Sequence, residues 1–415
     1  MNKANLINKI AYFSIYLLMV FTLCVFYYFP NIVSDKAVFG VVALLSLIYR
    51  YYNKKWSIYD YKYIIYPMLI YFIVVLLSFY MNSGFSSEIE ILLICLIFLV
   101  AASFFKIDEN ILGWIVVISS IIMVYFIYSS YALGFRRLGG EINPIFFGIY
   151  AFVVSLLCFY LSSSVKSMVK KMVYALCGLV YVWAVILTQT RGVFIAYPLI
   201  ILGIGMLIFI YSKSVMGLVL SLISVFLFIF IVAVNSNMND RFSKAYEELI
   251  EVFDINEGQE GNYNTSSGFR ILLWKFSVDV WKENVIFGVG NERFQNYKKE
   301  WVEMDRYPSI LIEKIPTTHS HSQYFHELAQ RGLIGFIAFI TLLISPIIYA
   351  LKDYKLFDKQ CFKSSILIVA FNLSFMIFSL TEVALKHSEK IIVFSVIGFI
   401  SIALHQKNKQ KLGLS

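Results

Sequence analysis

Long apolar runs restrict the fold of this chain more than any other feature. A helix needs about 20 mostly apolar residues to cross a bilayer, and about a dozen stretches approach this length. The sequence is 60% hydrophobic and 15% charged, whereas soluble domains are nearer half apolar and a quarter charged. We therefore predict an all-α polytopic membrane protein with about twelve spans. The predicted spans cover residues 11–29, 37–52, 63–80, 89–105, 111–133, 144–163, 172–190, 193–211, 215–234, 333–351, 364–380 and 391–404.

The N-terminal run and the cysteines exclude several classes of protein. Residues 11–29 are long enough to span, and no small-residue cleavage site follows them, so we predict a retained helix rather than a signal peptide. No two of the five cysteines form a CxxC pair. The sequence therefore predicts neither a thiolate metal site nor a redox pair.

The positions of lysine and arginine predict the orientation in the membrane. Short cytoplasmic loops are enriched in these residues. With the N-terminus in the cytoplasm, the basic loops near 50–62, 166–171 and 352–363 and the C-terminal tail all fall on the cytoplasmic side. Both termini are then cytoplasmic. The net charge of +9 reflects this orientation, and we predict no binding of nucleic acid.

One long polar segment, from about residue 235 to 330, falls on the outer side. It predicts three regions: spans one to nine in 1–234, an outer loop in 235–332, and the last three spans with the tail in 333–415. Apolar residues recur at helical spacing in "RFSKAYEELIEVF" and "FRILLWKFSVDVW", which predicts two amphipathic helices on the bilayer surface or capping the bundle. The "GQEGNYNTSSG" segment between them is rich in turn residues.

Three of the five histidines lie in "THSHSQYFHELAQRG", and a metal site is one possible reading. The zinc-protease motif HExxH needs a second histidine where this sequence has Gln330. His321 and His326 are five positions apart, or about 140° around a helix. We therefore predict no metal ion and no other cofactor at this segment.

A catalytic base is the second reading of the same segment. Ser320 and Gln323 fit a capping box, which makes Ser320 the N-cap and His321 the first helical residue. A helix N-terminus disfavours imidazolium, so His321 is expected to be neutral and able to accept a proton from a hydroxyl. The alternative, that His321 is a polar residue at a helix start without a chemical role, stays open. His319 and His326 are assigned structural or polar-surface roles.

Arginines also gather at the outer ends of the spans. Arg191 lies in "LTQTRG", Arg136 and Arg137 in "GFRRLGG", and Arg270 in "SSGFR". A charge beside a span is costly unless it faces a cavity or a partner, and the guanidinium fork suits phosphate oxygens. Contact with lipid headgroups explains each arginine alone. Their number favours an anionic ligand such as a lipid diphosphate.

These motifs together resemble those of bacterial O-antigen ligases, which share a superfamily with O-antigen polymerases. The resemblance rests on the twelve spans, the one large outer loop, and the segments "LTQTRG", "SSGFRILLW", "FGVGNERF" and "HSQYFHELAQRGLIG". The ligase signature is His, then Asn, Ser or Gln, nine residues, Gly, two residues, and Gly, Thr or Tyr. His321, Ser322, Gly332 and Gly335 match it completely, and His319 does not fit the spacing.

The resemblance implies a membrane glycosyltransferase of the GT-C type, inverting and independent of metal. It implies an undecaprenyl-diphosphate-linked O-antigen as donor and a sugar hydroxyl of the lipid A–core oligosaccharide as acceptor, at the periplasmic side of the inner membrane. His321 would be the base. The arginines that would hold the diphosphate are Arg191, Arg270 and one of Arg136 and Arg137.

Three other functions stay open at this point, and one of them, a non-catalytic scaffold, would not need His321. A polymerase would use the same donor class with a second lipid-linked chain as acceptor. A transporter of lipid-linked sugars would need ionisable residues at mid-membrane, whereas the charges in this sequence lie mostly at span ends.

Overall fold

The computed structural model describes most of the chain, with gaps. In the described part every regular element is a helix. The described residues are 3–25, 35–53, 59–82, 87–103, 105–135, 137–139, 143–234, 243–244, 246–248, 250, 263–316, 318–352 and 354–414.

The helices fall into two groups, those of the apolar bundle and those of the polar segment before residue 323. The bundle helices are α1 Lys3–Val20 (continued by a π turn, Phe21–Val25), α2 Asp35–Asn53, α3 Lys62–Asn82, α4 Ser87–Ala102, α5 Glu109–Ala132, α6 Pro144–Ser164, α7 Met168–Thr188, α8 Arg191–Ser212, α9 Val215–Val234, α13 Gln323–Leu351, α14 Lys359–Thr381 and α15 Ser388–Lys411. The polar segment contains α10 Ser266–Glu283, α11 Gly290–Glu303 and the single turn α12 Ile310–Glu313.

Nine helices of the described chain are long and apolar enough to cross a membrane: α3, α5 to α9, and α13 to α15. The prediction of an all-α polytopic membrane protein is therefore confirmed. Shorter apolar stretches, Tyr12–Cys24 and Ala37–Ile48, lie in α1 with its π turn and in α2, and α4 has 16 residues. The count of twelve spans stays a prediction.

Burial in the bundle runs opposite to hydropathy. Helix α9 is the most apolar of the nine candidate spans, yet only 17% of its apolar stretch is buried, whereas α15 is the least apolar and 89% buried. Lipid tails are as apolar as a protein core, so a lipid-facing helix can be uniformly greasy. A central helix can instead carry small polar side chains that bond to its neighbours. Burial and composition together indicate that α9 lies at the lipid-facing edge of the bundle and α15 at its centre.

The three helices of the polar segment share a small hydrophobic core. The predicted helix in "FRILLWKFSVDVW" is confirmed as α10, with Leu272, Leu273, Phe276 and Val280 buried. These side chains pack with Phe294 and Trp301 of α11, Leu311 of α12, and Ala329 of α13. The segment therefore caps the bundle at the start of α13. In the other predicted helix, residues 243, 244, 246–248 and 250 are helical, and its remaining residues lie outside the described part, as does most of the turn-rich stretch.

Helix α13 is kinked where it enters the bundle. Gly332 has φ 63° and ψ −159°, so the helical hydrogen bonding is interrupted there. The segment before α11 supplies the missing partners. The N–H of Leu333 donates to the carbonyl of Val285 at 2.9 Å, and the N–H of Ile334 donates to that of Ile286 at 3.3 Å. In the other direction, the N–H of Val289 donates to the carbonyl of Ala329 at 3.0 Å. A Cβ on Gly288 would overlap the backbone of Arg331, and one on Gly332 would overlap the carbonyl of Ile286.

We expect Gly332→Ala to lower thermal stability clearly. Its backbone lies in the left-handed region, which costs about 1–3 kcal/mol for a residue with a side chain, and the new methyl group would push the 285–289 segment away. Gly203→Ala is the matched control, because Gly203 lies within α8 with no atom within 4 Å of an added Cβ. The measurement is the melting temperature of the two purified variants in detergent. Equal melting temperatures would contradict the role assigned to the kink.

Candidate functional site

A large cavity opens at the end of the bundle where α8 begins and α14 ends. Its volume is about 1650 Å³. Helix α10 covers it from the side of the polar segment. Four charged or basic side chains of interest line it: Arg137, Arg191, Arg270 and Glu382. Three of the four predicted arginines therefore meet at one cavity, and Arg136 lies outside the described residues.

Arg191 is placed by a tight turn between α7 and α8. Gln189 ends α7 in the left-handed conformation with φ 52°, and Thr190 precedes α8, so Arg191 is the first helical residue. Gly192 lets α8 approach α14 closely, because a Cβ there would overlap the hydroxyl of Thr381. The sequence "TRG" therefore brings the Arg191 guanidinium beside the end of α14.

Arg270 and Arg137 reach the cavity from two other segments. Arg270 lies in the first turns of α10, and its Nη1 donates to the carbonyl and hydroxyl of Ser266 at 3.1 and 2.9 Å. Burial lowers the pKa of Arg270, and the charge of Glu382 opposes this shift. The Nε of Arg137 donates to the carbonyl of Thr188 at 2.9 Å, which fixes its loop to the end of α7.

The backbone around His321 differs from the prediction. The N-cap of α13 is Ser322, and the helix begins at Gln323, so the assignment of Ser320 as the N-cap and His321 as the first helical residue was wrong. The hydroxyl of Ser320 instead accepts from Ser277 of α10 at 2.7 Å, and that of Ser322 donates to the carbonyl of Ser379 at 3.1 Å. His321 itself has φ 50°. Tertiary hydrogen bonds therefore replace the local capping box.

The surroundings of His321 favour its neutral form. Burial lowers its pKa below the ordinary value, and Arg270 adds to this effect, while Glu382 opposes it. Arg270 and Glu382 line the cavity, and His321 is close enough to both for their charges to act on it. Its Nδ1 is buried and has no hydrogen-bond partner within the described residues. A neutral imidazole in this setting is able to accept a proton.

The other two histidines of the segment do not form a ligand set with His321. His319 stands edge-on to the His321 ring at 4.5 Å between centroids, and its Nδ1 accepts from the His321 N–H at 3.3 Å. Burial, with the neighbouring His321, lowers the pKa of His319 to about 2. His326 is fully buried inside α13. Across the described ranges, no three His, Cys, Asp or Glu side chains are grouped to hold a metal ion.

Glu327 and Arg331, the other polar residues of the segment, anchor α13 in the bundle. Arg331 donates to Glu327 of its own helix at 2.8 Å and to Glu88 of α4 at 2.7 Å. Glu327 also accepts from Tyr71 of α3 at 2.7 Å and from Gln323 at 2.6 Å. All five side chains are buried. This anchor cluster joins the three helices α3, α4 and α13.

The signature glycines have separate physical roles. Gly332 permits the kink, and Gly335 leaves room for the anchor cluster. A Cβ on Gly335 would overlap the side chain of Arg331 and lie 3.0 Å from the Oε2 of Glu327. The signature thus combines three features. His321 is the predicted base, Gly332 allows the kink that docks the polar segment, and Gly335 leaves space for the buried ion pairs.

Sequence reasoning missed Glu382, an acidic residue of the cavity wall. It follows α14 directly, and its Oε1 accepts from the N–H of Val383 at 3.0 Å and from Lys390 at 3.4 Å. Burial alone would raise its pKa, but the charge of Lys390 and the hydrogen bond from Val383 help to lower it below the ordinary value. The available signal was an acid at the outer end of an apolar run, where charge is costly without a partner.

Comparison with known proteins supports the superfamily. Residues 176–340 match the sequence profile of a family described as "O-Antigen ligase". This match confirms the resemblance to the O-antigen ligase superfamily, and its range contains Arg191, Arg270 and His321. An uncharacterized protein of Haemophilus influenzae is 26% identical over 329 residues, which cover 75% of this chain and 79% of that protein.

We expect Arg331→Met to destabilise the protein severely. It leaves the carboxylates of Glu88 and Glu327 buried without their cation, and breaking a buried ion pair costs about 3–5 kcal/mol. The triple variant Glu88→Gln, Glu327→Gln, Arg331→Met is the matched control, because it removes the charges together. The melting temperature in detergent should fall sharply for the single variant. In the triple variant it should return most of the way to the wild-type value. A triple variant as unstable as the single one would contradict this account.

Proposed function

We propose that this protein is an O-antigen ligase, which transfers O-antigen polysaccharide from undecaprenyl diphosphate to the lipid A–core oligosaccharide of lipopolysaccharide. The observation that carries the proposal is the convergence of Arg137, Arg191 and Arg270 on one cavity, with His321 within reach of the charges of two lining residues, Arg270 and Glu382. The family match, which contains Arg191, Arg270 and His321, supports a ligase-type or polymerase-type activity.

The arginines are assigned to the donor. Guanidinium groups bind phosphate oxygens through paired hydrogen bonds and keep their charge at every physiological pH. As the glycosidic bond to the diphosphate breaks, negative charge grows on the leaving oxygen. Fixed cations at that position stabilise it more than they stabilise the bound donor, which lowers the barrier. This is the role that a metal ion plays in other transferases, and we propose that none is required.

His321 is assigned to the acceptor. The hydroxyl oxygen of the core sugar attacks the anomeric carbon from the face opposite the diphosphate, and the proton of that hydroxyl passes to the imidazole. One bond forms as the other breaks, so the configuration of the anomeric carbon inverts. The lowered pKa of His321 keeps it unprotonated at neutral pH. Glu382 lies close enough to stabilise the imidazolium that results.

The charge distribution supports a periplasmic site in the inner membrane. At the opposite end of the bundle, Lys106, Lys166, Lys170 and Lys407 line a second cavity of about 610 Å³. Lysines are enriched at the cytoplasmic ends of spans. We propose twelve spans with a GT-C-type fold, both termini in the cytoplasm, and 235–332 as the periplasmic region between 1–234 and 333–415.

We expect His321→Asn to abolish ligation without unfolding the protein. Asparagine tolerates the left-handed backbone of His321 better than alanine does, but it cannot accept the proton. Loss of a general base reduces rates by about 100-fold or more. The variant is expressed in a strain lacking its own ligase, and lipopolysaccharide is examined on a gel, with the melting temperature as the folding control. Core that still carries long O-antigen would contradict the assigned role of His321.

The same strain separates the ligase from the polymerase, because the two differ in acceptor. A ligase restores O-antigen on the core, and its inactive variant leaves finished polymer on the lipid carrier. A polymerase leaves polymer on the carrier even as the wild-type protein, because it does not use the core as acceptor. The second pattern would replace the proposed acceptor with a lipid-linked chain.

We expect transfer by the purified protein to continue at full rate in excess EDTA. The cations of the cavity are covalent parts of the chain, so chelation removes nothing that the reaction needs. The measurement is sugar transfer from a lipid-linked donor to lipid A–core in detergent. An EDTA-treated sample that loses activity and regains it on addition of Mg²⁺ or Zn²⁺ would show that a metal contributes.

A further inference from the structure

The carboxylate of Glu248 occupies an anion-binding position formed by two residues of the cavity wall, Arg191 and Ser267. Its Oε2 accepts from the hydroxyl of Ser267 at 2.6 Å, from the N–H of Ser267 at 3.1 Å and from Nη1 of Arg191 at 3.4 Å. Partial burial raises the pKa of Glu248, but these hydrogen bonds and the charge of Arg191 outweigh it and lower the pKa. Glu248 is therefore held as an anion.

The three donors are of the kinds that bind phosphate. Ser267 is the second residue of α10, where backbone N–H groups have no helical partner and the helix dipole attracts negative charge. Thr265 caps the neighbouring N–H of Gly268 at 3.0 Å, which leaves the N–H of Ser267 to face Glu248. A guanidinium, a hydroxyl and a backbone amide thus point at one oxygen.

This position belongs to the donor cavity. Arg191, Ser267 and Arg270 all line it, and the charge of Glu248 also acts on Arg270. A diphosphate bound by these arginines would bring its negative charges next to the Glu248 carboxylate. Like charges at such a distance repel, so the two anions compete for the same donors.

We propose that Ser267 is a further donor-binding residue, and that Glu248 occupies the phosphate position in the free protein and yields it to the diphosphate of the donor. The inference rests on the proposed function. It adds a hydroxyl and a backbone amide to the predicted arginines. It also assigns a carboxylate that keeps Arg191 in place and lowers the affinity for weaker anions.

A purely structural role for Glu248 predicts the opposite result. If Glu248 only held the N-terminus of α10, its removal would loosen Ser267 and Arg191 and weaken donor binding. If Glu248 competes, its removal frees the donors and tightens binding. An internal competitor lowers the apparent association constant, which becomes the intrinsic constant multiplied by the fraction of molecules in which the site is free.

The test uses the full chain in nanodiscs with undecaprenyl diphosphate as the probe. We compare dissociation constants for Glu248→Gln and Glu247→Gln. The second is the matched control, because it makes the same charge change one residue away on an exposed side chain. We expect Glu248→Gln to bind about fivefold tighter and Glu247→Gln to bind as the wild type does.

Ser267 is tested with two substitutions. Ser267→Ala removes the hydroxyl and should weaken binding by about tenfold or more, as expected for a hydrogen bond to a charged group. Ser267→Thr keeps the hydroxyl and should retain most of the affinity. Melting temperatures establish that each variant is folded.

The outcomes separate the two proposals. Wild-type protein that fails to bind undecaprenyl diphosphate overturns the proposed function and this inference with it. If the wild type binds, two results overturn the exchange alone. One is equal binding by Glu248→Gln and Glu247→Gln, and the other is weaker binding by Glu248→Gln. Equal binding by wild type and Ser267→Ala overturns the assignment of Ser267.

Discussion

The burial of Arg331 between two carboxylates is the constraint on which the cavity end of this protein depends. A buried guanidinium is tolerated only when its charge is matched and its donors are bonded. Glu88 and Glu327 meet this need, and they belong to two helices. The pairing therefore fixes where α13 sits against α4, and with it the residues that precede α13. His321 precedes this fixed helix, which holds it within reach of the charge of Arg270.

The charged groups in and beside the cavity come from several segments. Its positive groups come from the loop before α6, from the start of α8 and from α10, whereas His321 and Glu382 flank the start of α13 and the end of α14. None of these segments could hold a diphosphate alone. An arginine at the end of a span gains from facing such a cavity, because the alternative is a charge beside lipid. The proposed recognition of a lipid-linked anion would thus follow from the same cost that shapes the bundle.

Much of this architecture was readable from the sequence because its physical signals are local. Hydropathy located the bundle helices, and helical spacing located α10. Helix α11 was missed, since most of "GNERFQNYKKEWVE" is polar and only a few side chains, such as Phe294 and Trp301, are buried. The capping box at Ser320 misled because Ser277 and Ser379 lie far away in sequence and compete for the serine hydroxyls. Glu248 was missed for the same reason, since its partners become neighbours only after folding.

The backbone pairing of Gly288 with the kink at Gly332 has a consequence for recombination between relatives. The two stretches, 285–289 and 329–334, fit as paired surfaces without side chains between them. A chimera that takes the polar segment from one parent and α13 from another would join backbones shaped for different partners. The two stretches therefore need to come from the same parent, although about 40 residues separate them in the chain. Crossover points placed before residue 285 and after residue 335 keep them together.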